Sequence, residues 1–196
     1  MSRDFIMDFE TLGTEDKAVL LSIAVFACPE DNEFSKDDNF LNLMKFGIEY
    51  KIDRVAQIKV GRTMDQNTID WWKKQGPEAQ KVLSLSDTVD VFEVYKQIKN
   101  FMESWGYDKK ESYVWSRGMI DQRWWQSFVK SLNTIKKLEV YEDFIPFWQW
   151  RDTRTACHLL CGNPNGNVNI PSEFIKHNSI HDCAMDYLRL SNLMNY

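Results

Sequence analysis

Near the start of the chain stands Phe5-Ile6-Met7-Asp8-Phe9-Glu10-Thr11. Phe5, Met7 and Phe9 alternate with Ile6, Asp8 and Glu10, a period of two that reads as a β-strand. Residues two apart on a strand share a face, so Asp8 and Glu10 project together, with roots about 6 to 7 Å apart. Beside three large apolar side chains, unpaired carboxylates are costly to bury. A salt bridge, a raised pKa or a metal ion would compensate, unless the strand lies at an edge with one solvated face.

Residues 18–28 follow as an almost continuous apolar run (Val19, Leu20, Leu21, Ile23, Val25, Phe26), as expected of a central strand covered on both faces. Residues 41–52 are also strand-like, and the short connections predict antiparallel neighbours. After Gly61 the period becomes helical. Residues 63–75 carry Ile69, Trp71 and Trp72; Pro77 opens a second short helix where proline is tolerated; residues 87–105 form a long amphipathic helix closed by Gly106. A short strand over 112–116 leads through Gly118 into a helix ending near Leu132. Another short strand is expected around 138–141, a turn-rich loop over 162–171 and a final helix over about 180–194. Strands first, then strands and helices mixed, predict an α/β fold: one mixed sheet with helices on its faces, a single domain over residues 1–196.

The 196 residues, 43% apolar and 14% aromatic, suffice for one sizeable core, which excludes a disordered tail and argues against two full domains. No run of about 18 apolar residues occurs, and Asp4 interrupts the place where a signal peptide has its apolar stretch. A soluble, cytoplasmic protein without a membrane partner is expected. Cys28, Cys157, Cys161 and Cys183 read as reduced thiols. Cys157, His158 and Cys161 resemble half a zinc site, but no second pair completes it, so helix packing is the reading. A net charge of −5, from 29 acids and 24 bases, disfavours gripping phosphates by overall field alone. Acids that hold divalent cations would reverse the local sign.

Further acids stand where helices begin. Asp121 falls in the first turn of the helix after Gly118, where the helix dipole favours a carboxylate and would by itself account for it. Ser179-Ile180-His181-Asp182 resembles a capping box at the start of the last helix. His177 precedes Asp182 by five residues, which a helix would separate by about 140°, so the two converge only if His177 lies on the preceding loop.

Taken together, Asp8-Phe9-Glu10-Thr11, Asp121 and His177-Asn178-Ser179-Ile180-His181-Asp182 resemble the D-x-E, middle D and H-x4-D of DnaQ-like 3′-5′ exonucleases of the DEDDh type. Thr68 to Gln75, Arg117 to Met119, Arg151 to Thr155 and His177 to Cys183 are similar to segments of the exonuclease A proteins of tailed phages, in the same order along nearly the whole chain. The resemblance implies a ribonuclease H-like fold. It also implies a two-metal mechanism in which Asp8, Glu10, Asp121 and Asp182 hold two Mg²⁺ or Mn²⁺ ions and His177 is the general base. His181 and Asp186 are rivals for those roles.

The implied reaction releases nucleotides from the 3′ ends of nucleic acid, DNA in preference to RNA; an exoribonuclease of the same fold and a non-catalytic binding module are the alternatives. Thr11 and Leu12 carry over as contacts to the terminal nucleotide. Trp72 or its neighbour Trp71 offers a stacking face or packs in the core, and Arg117, Lys73 and Arg123 are phosphate contacts or solvated side chains. Phe147 and Trp148 line the cleft or the surface of a homodimer.

Overall fold

The computed structural model describes residues 2–30, 33–35, 38–136 and 140–194. Its elements are β1 (Phe5–Thr11), β2 (Leu20–Ala27), β3 (Gly47–Ile52), α1 (Arg54–Lys59), α2 (Gln66–Trp72), α3 (Pro77–Gln80), β4 (Thr88–Val89), α4 (Val91–Ser104), β5 (Val114–Ser116), α5 (Ile120–Ile135), β6 (Trp150–Asp152), α6 (Thr153–Cys161) and α7 (Ser179–Met194). The strands form one six-stranded sheet in the order β4-β3-β2-β1-β5-β6. β1, β2 and β3 are antiparallel neighbours, while β5 pairs parallel to β1 and β6 parallel to β5. This is the expected mixed sheet, antiparallel first and parallel afterwards.

The period of two in β1 sorts its side chains between two cores. Phe5, Met7 and Phe9 pack with Val94 and Ile98 of α4 and Trp125 and Phe128 of α5. Ile6 packs on the other face with Cys183, Ala184 and Leu190 of α7. Asp8 and Glu10 share the α7 face with Ile6, opposite Ala24 and Ser22 of β2. β1 is thus a central strand, and the solvated-edge alternative for its acids does not apply.

Residues 41–52 are not one strand. Phe40–Phe46 winds as a 3-10 helix and β3 begins only at Gly47. Asn39 caps Leu41 N–H at 2.8 Å, and Phe40, Leu43 and Phe46 recur every three residues, the repeat that a 3-10 turn buries on one side. Aspartate caps also trim the expected helices: Asp65 accepts from Thr68 N–H, so α2 covers Gln66–Trp72, and Asp90 accepts from Phe92 N–H, so α4 starts at Val91. The two residues before that cap instead pair with β3 as β4. Of the strand expected around 138–141, residues 138 and 139 lie outside the described residues and 140 and 141 are not in a strand; the edge strand on that side is β6, followed directly by α6. Cys157 is buried on α6, and Cys161 donates to its carbonyl at 3.1 Å. Among the described residues, no helix is long and apolar enough to cross a membrane.

Candidate active site

Parallel β1 and β5 run side by side, and the helices that follow them in space, α5 on one face and α7 on the other, start at the same end of the sheet. Asp8 and Glu10 arrive on β1, Asp121 in the first turn of α5 and Asp182 in the first turn of α7. With His177 they line one cleft of about 760 Å³. Donor atoms of Glu10, His177 and Asp182 lie within 4.8 Å of one another.

His177 stands on the loop before α7, as convergence with Asp182 requires, with φ at +62°, in the left-handed region that few non-glycine residues occupy. Its backbone N–H donates to Asp182 Oδ2 at 2.9 Å, while Asn178 Oδ1 accepts from His181 N–H at 3.1 Å. Asn178 is therefore the side-chain cap, one residue earlier than the expected Ser179; asparagine serves there as well as serine. Ser179 is buried, donates to Glu49 Oε1 at 2.5 Å and lies 3.0 Å from Ser22 Oγ, tying the start of α7 to β2 and β3. The His177 ring sits edge-on to Trp71, centroids 4.7 Å apart. Burial, aided by the charge of Lys176, holds its pKa below the usual histidine value.

The acids repel one another. Burial raises Asp8 well above the usual carboxylate range, and Asp121, Asp182 and Glu10 add to it. Burial raises Glu10 in the same way, reinforced by Asp182 and Asp121. Asp121 is pushed up to about 8 by burial, opposed by the Phe9 backbone N–H; Asp182 is pushed up to about 7 by burial and by Asp186, opposed by the His177 N–H. Four converging carboxylates with this much mutual cost are a donor set suited to hard divalent cations, which take carboxylate oxygens.

The rivals are occupied. His181 Nδ1 accepts Ile175 N–H at 3.2 Å, and its ring packs against Phe40 and Phe174. Asp186 is buried between Arg117 (3.2 Å) and Arg189 (2.5 Å).

Several expected substrate contacts lie elsewhere. Trp72 is 1% exposed and donates from Nε1 to Thr11 O at 2.8 Å, so it is not open to stacking; Trp71, at 40%, is the ring that faces out. Adjacent helical residues lie about 100° apart, so only one of the pair can face the core. Leu12 is likewise buried, in a small cluster with Val19, Leu21 and Trp72. Thr11 does border a hollow of about 460 Å³, together with Trp71 and Trp124. Arg117 lines the cleft but is engaged by Asp186 and by Asn165 Oδ1 at 2.5 Å. Lys73 pairs with Asp70 and Arg123 with Asp16, both at 2.7 Å on the surface. Phe147 and Trp148 do not line the cleft; they are exposed beside the edge strand β6. Two cleft residues that have no assigned role in the sequence are Arg154, inside the Arg151 to Thr155 segment, and Lys176.

A mixed sheet carrying this acid and histidine constellation at the ends of its parallel strands defines the class: a 3′-5′ exonuclease. The chain belongs to the family described as the 3′-5′ exoribonuclease Rv2179c-like domain, which it matches over residues 3–193. It is 32% identical to the exodeoxyribonuclease of Enterobacteria phage T4 over a 211-residue alignment covering 98% of this chain and 89% of that protein. The fold is ribonuclease H-like. It resembles the nuclease domain of 3′hExo, a DEDDh family member solved with rAMP, with a TM-score of 0.53 and 12% identity over 98% of this chain and 92% of that one. It also resembles cell-death related nuclease 4 (CRN-4), with a TM-score of 0.52 and 15% identity; the whole of this chain spans 64% of that one.

Proposed function

We propose that residues 1–196 form one metal-dependent exodeoxyribonuclease domain that releases nucleoside monophosphates from DNA 3′ ends, with His177 as general base. The observation that carries this reading is the convergence of Asp8, Glu10, Asp121 and Asp182 with His177 in one cleft. The carboxylates would hold two Mg²⁺ or Mn²⁺ ions, which supply Lewis-acid stabilisation of the phosphate oxygens when bound. His177 takes the proton of the attacking water; its lowered pKa keeps the ring neutral at pH 7 and able to accept it. Trp71, edge-on to the imidazole, restricts its rotation, and the His177 N–H on Asp182 fixes the loop that presents it. The hollow bordered by Thr11, Trp71 and Trp124 is large enough for the terminal nucleoside.

Likeness to a named exodeoxyribonuclease along almost the whole chain favours DNA. The family description favours the second reading, an exoribonuclease, and the choice rests on contacts to the 2′-hydroxyl. Matched DNA and RNA oligonucleotides labelled at the 5′ end, digested with Mg²⁺, Mn²⁺ or EDTA, test both. The expected result is a metal-dependent ladder shortening from the 3′ end, faster on DNA. A faster RNA ladder transfers the assignment to the second reading. Asp8→Ala should abolish the ladder in a protein that still folds; retained activity in that variant would sink the carboxylate assignment.

A further inference from the structure

Beyond the acids, the cleft is walled by α6, the 162–171 loop and the loop before α7, and it is lined by Arg117, Arg154, Lys176 and Arg189. Arg117 and Arg189 are spent on Asp186 and on holding the loop. Arg117 donates to Asn165 Oδ1, Arg189 Nε donates to Asn165 O at 3.1 Å, and Asn192 donates to Asn167 O at 3.2 Å. Gly166, at φ +68°, lies against the Arg189 stem so closely that a Cβ would come within 3.2 Å of it. The wall is therefore fixed by the fold.

Arg154 and Lys176 differ. Both are exposed, both line the cleft, and among the described residues neither has an ion-pair partner. Lys73 and Arg123, by contrast, are held by Asp70 and Asp16. The neighbouring hollow beyond His177, about 330 Å³, sets Lys51 and Lys81 against Glu49, Glu78 and Asp87, so it offers a polyanion no net attraction. The hollow at Thr11 and Trp71 carries aromatic rings and no lysine or arginine. Of the three hollows that meet at His177 and Glu10, the cleft on the α6 side is thus the one that offers a polyanion two exposed cations without an ion-pair partner among the described residues.

We propose that Arg154 and Lys176 bind the phosphates of the strand upstream of the scissile bond, so that the polymer lies along the α6 side of the cleft. This rests on the exonuclease reading and adds the path of the chain to it. It makes the pair binding residues rather than catalytic ones, with a consequence that depends on substrate length.

The test compares Arg154→Gln, Lys176→Gln and the double variant on two substrates at pH 8, where His177 is neutral with or without Lys176. One is a 12-residue oligothymidylate; the other is thymidine 5′-(4-nitrophenyl) phosphate, which presents a scissile phosphate and no upstream ones. On the oligomer each variant should lose about tenfold in kcat/KM, mostly through KM, and flatten the slope of log kcat/KM against log salt by about 0.7 for each phosphate no longer neutralised. On the nitrophenyl ester all variants should stay within about twofold of wild type. Equal loss on both substrates, or no loss on the oligomer from variants with wild-type melting temperatures, overturns the proposal. Wild-type protein that hydrolyses neither substrate overturns the exonuclease reading itself and the strand path with it.

Discussion

Individual side chains here are set by what lies within one hydrogen bond of them. His177 has its pKa lowered by burial and by Lys176, so the neutral, competent form persists below the usual histidine value of about 6.5. The acidic limb of kcat/KM should therefore lie below pH 6.5, and His177→Gln should lower turnover by about 10² to 10⁴ and abolish that limb. A limb that stays at the same pH in the variant would assign it to the carboxylates instead. The adjacent tryptophans separate by the same local logic. Trp72→Ala empties a buried site and removes the donor to Thr11 O, which should cost about 3 to 5 kcal/mol in denaturant melts. Trp71→Ala, at an exposed ring, should cost under about 1 kcal/mol yet slow hydrolysis, because it frees the His177 imidazole. Equal destabilisation by the two changes would contradict the burial on which this rests.

At the scale of elements, polar side chains join pieces of backbone that strand pairing leaves open. Gln57, one of the buried polar residues, accepts from Leu20 N–H and donates to Leu20 O, both at 2.9 Å, so α1 satisfies the start of β2 in place of a strand. Gln57→Leu strands both groups and should cost about 2 to 4 kcal/mol, whereas Gln66→Leu on exposed α2 should cost under about 0.5 kcal/mol. Chemical denaturation of the two variants decides this; a near-neutral Gln57→Leu would show that water replaces the amide. Capping works at the same scale. The aspartates at positions 53, 65, 90 and 152 each accept a backbone N–H at a helix start, and at 65 and 90 the cap makes the helix begin later than its apolar periodicity suggests.

For the whole molecule, gathering acids from three elements into one cleft makes the fold depend on pH and on cations. Asp182, at about 7, and Asp121, at about 8, lie above their unfolded values near 4, so the folded chain holds protons that the unfolded chain has released. The stability linked to those protons is present at low pH and is lost as pH rises through 7 to 8. Depressed His177 and His181 act in the opposite sense, but only below about pH 6.5, so the range from 6.5 to 8.5 isolates the acids. Metal-free protein should melt at progressively lower temperature across that range, and Mg²⁺ or Mn²⁺ should raise the melting temperature more at pH 8 than at pH 6.5. A flat metal-free profile in scanning fluorimetry would mean that the acids are not coupled as their burial implies.

The α/β class, a first strand with Asp8 and Glu10 on one face, the long helices and the need for His177 to sit outside α7 are all legible in local pattern, whereas the central place of that strand is a matter of sheet order. Each of the former follows from a repeat of two or of 3.6 residues, or from a short motif, within one element. The resemblance in motif order brought in Asp121 and Asp182, which periodicity alone left as helix-start acids. Which of Trp71 and Trp72 faces out, the pairing of Arg117 with Asp186, the burial of Leu12 and the shared cleft of Arg154 and Lys176 come instead from packing between elements. Residue 154 lies on α6 and residue 176 beyond the 162–171 loop, and no local period links two positions on different elements. Their juxtaposition depends on how α6, α7 and the loop pack against the sheet, a packing free energy summed over the fold rather than a property of either segment.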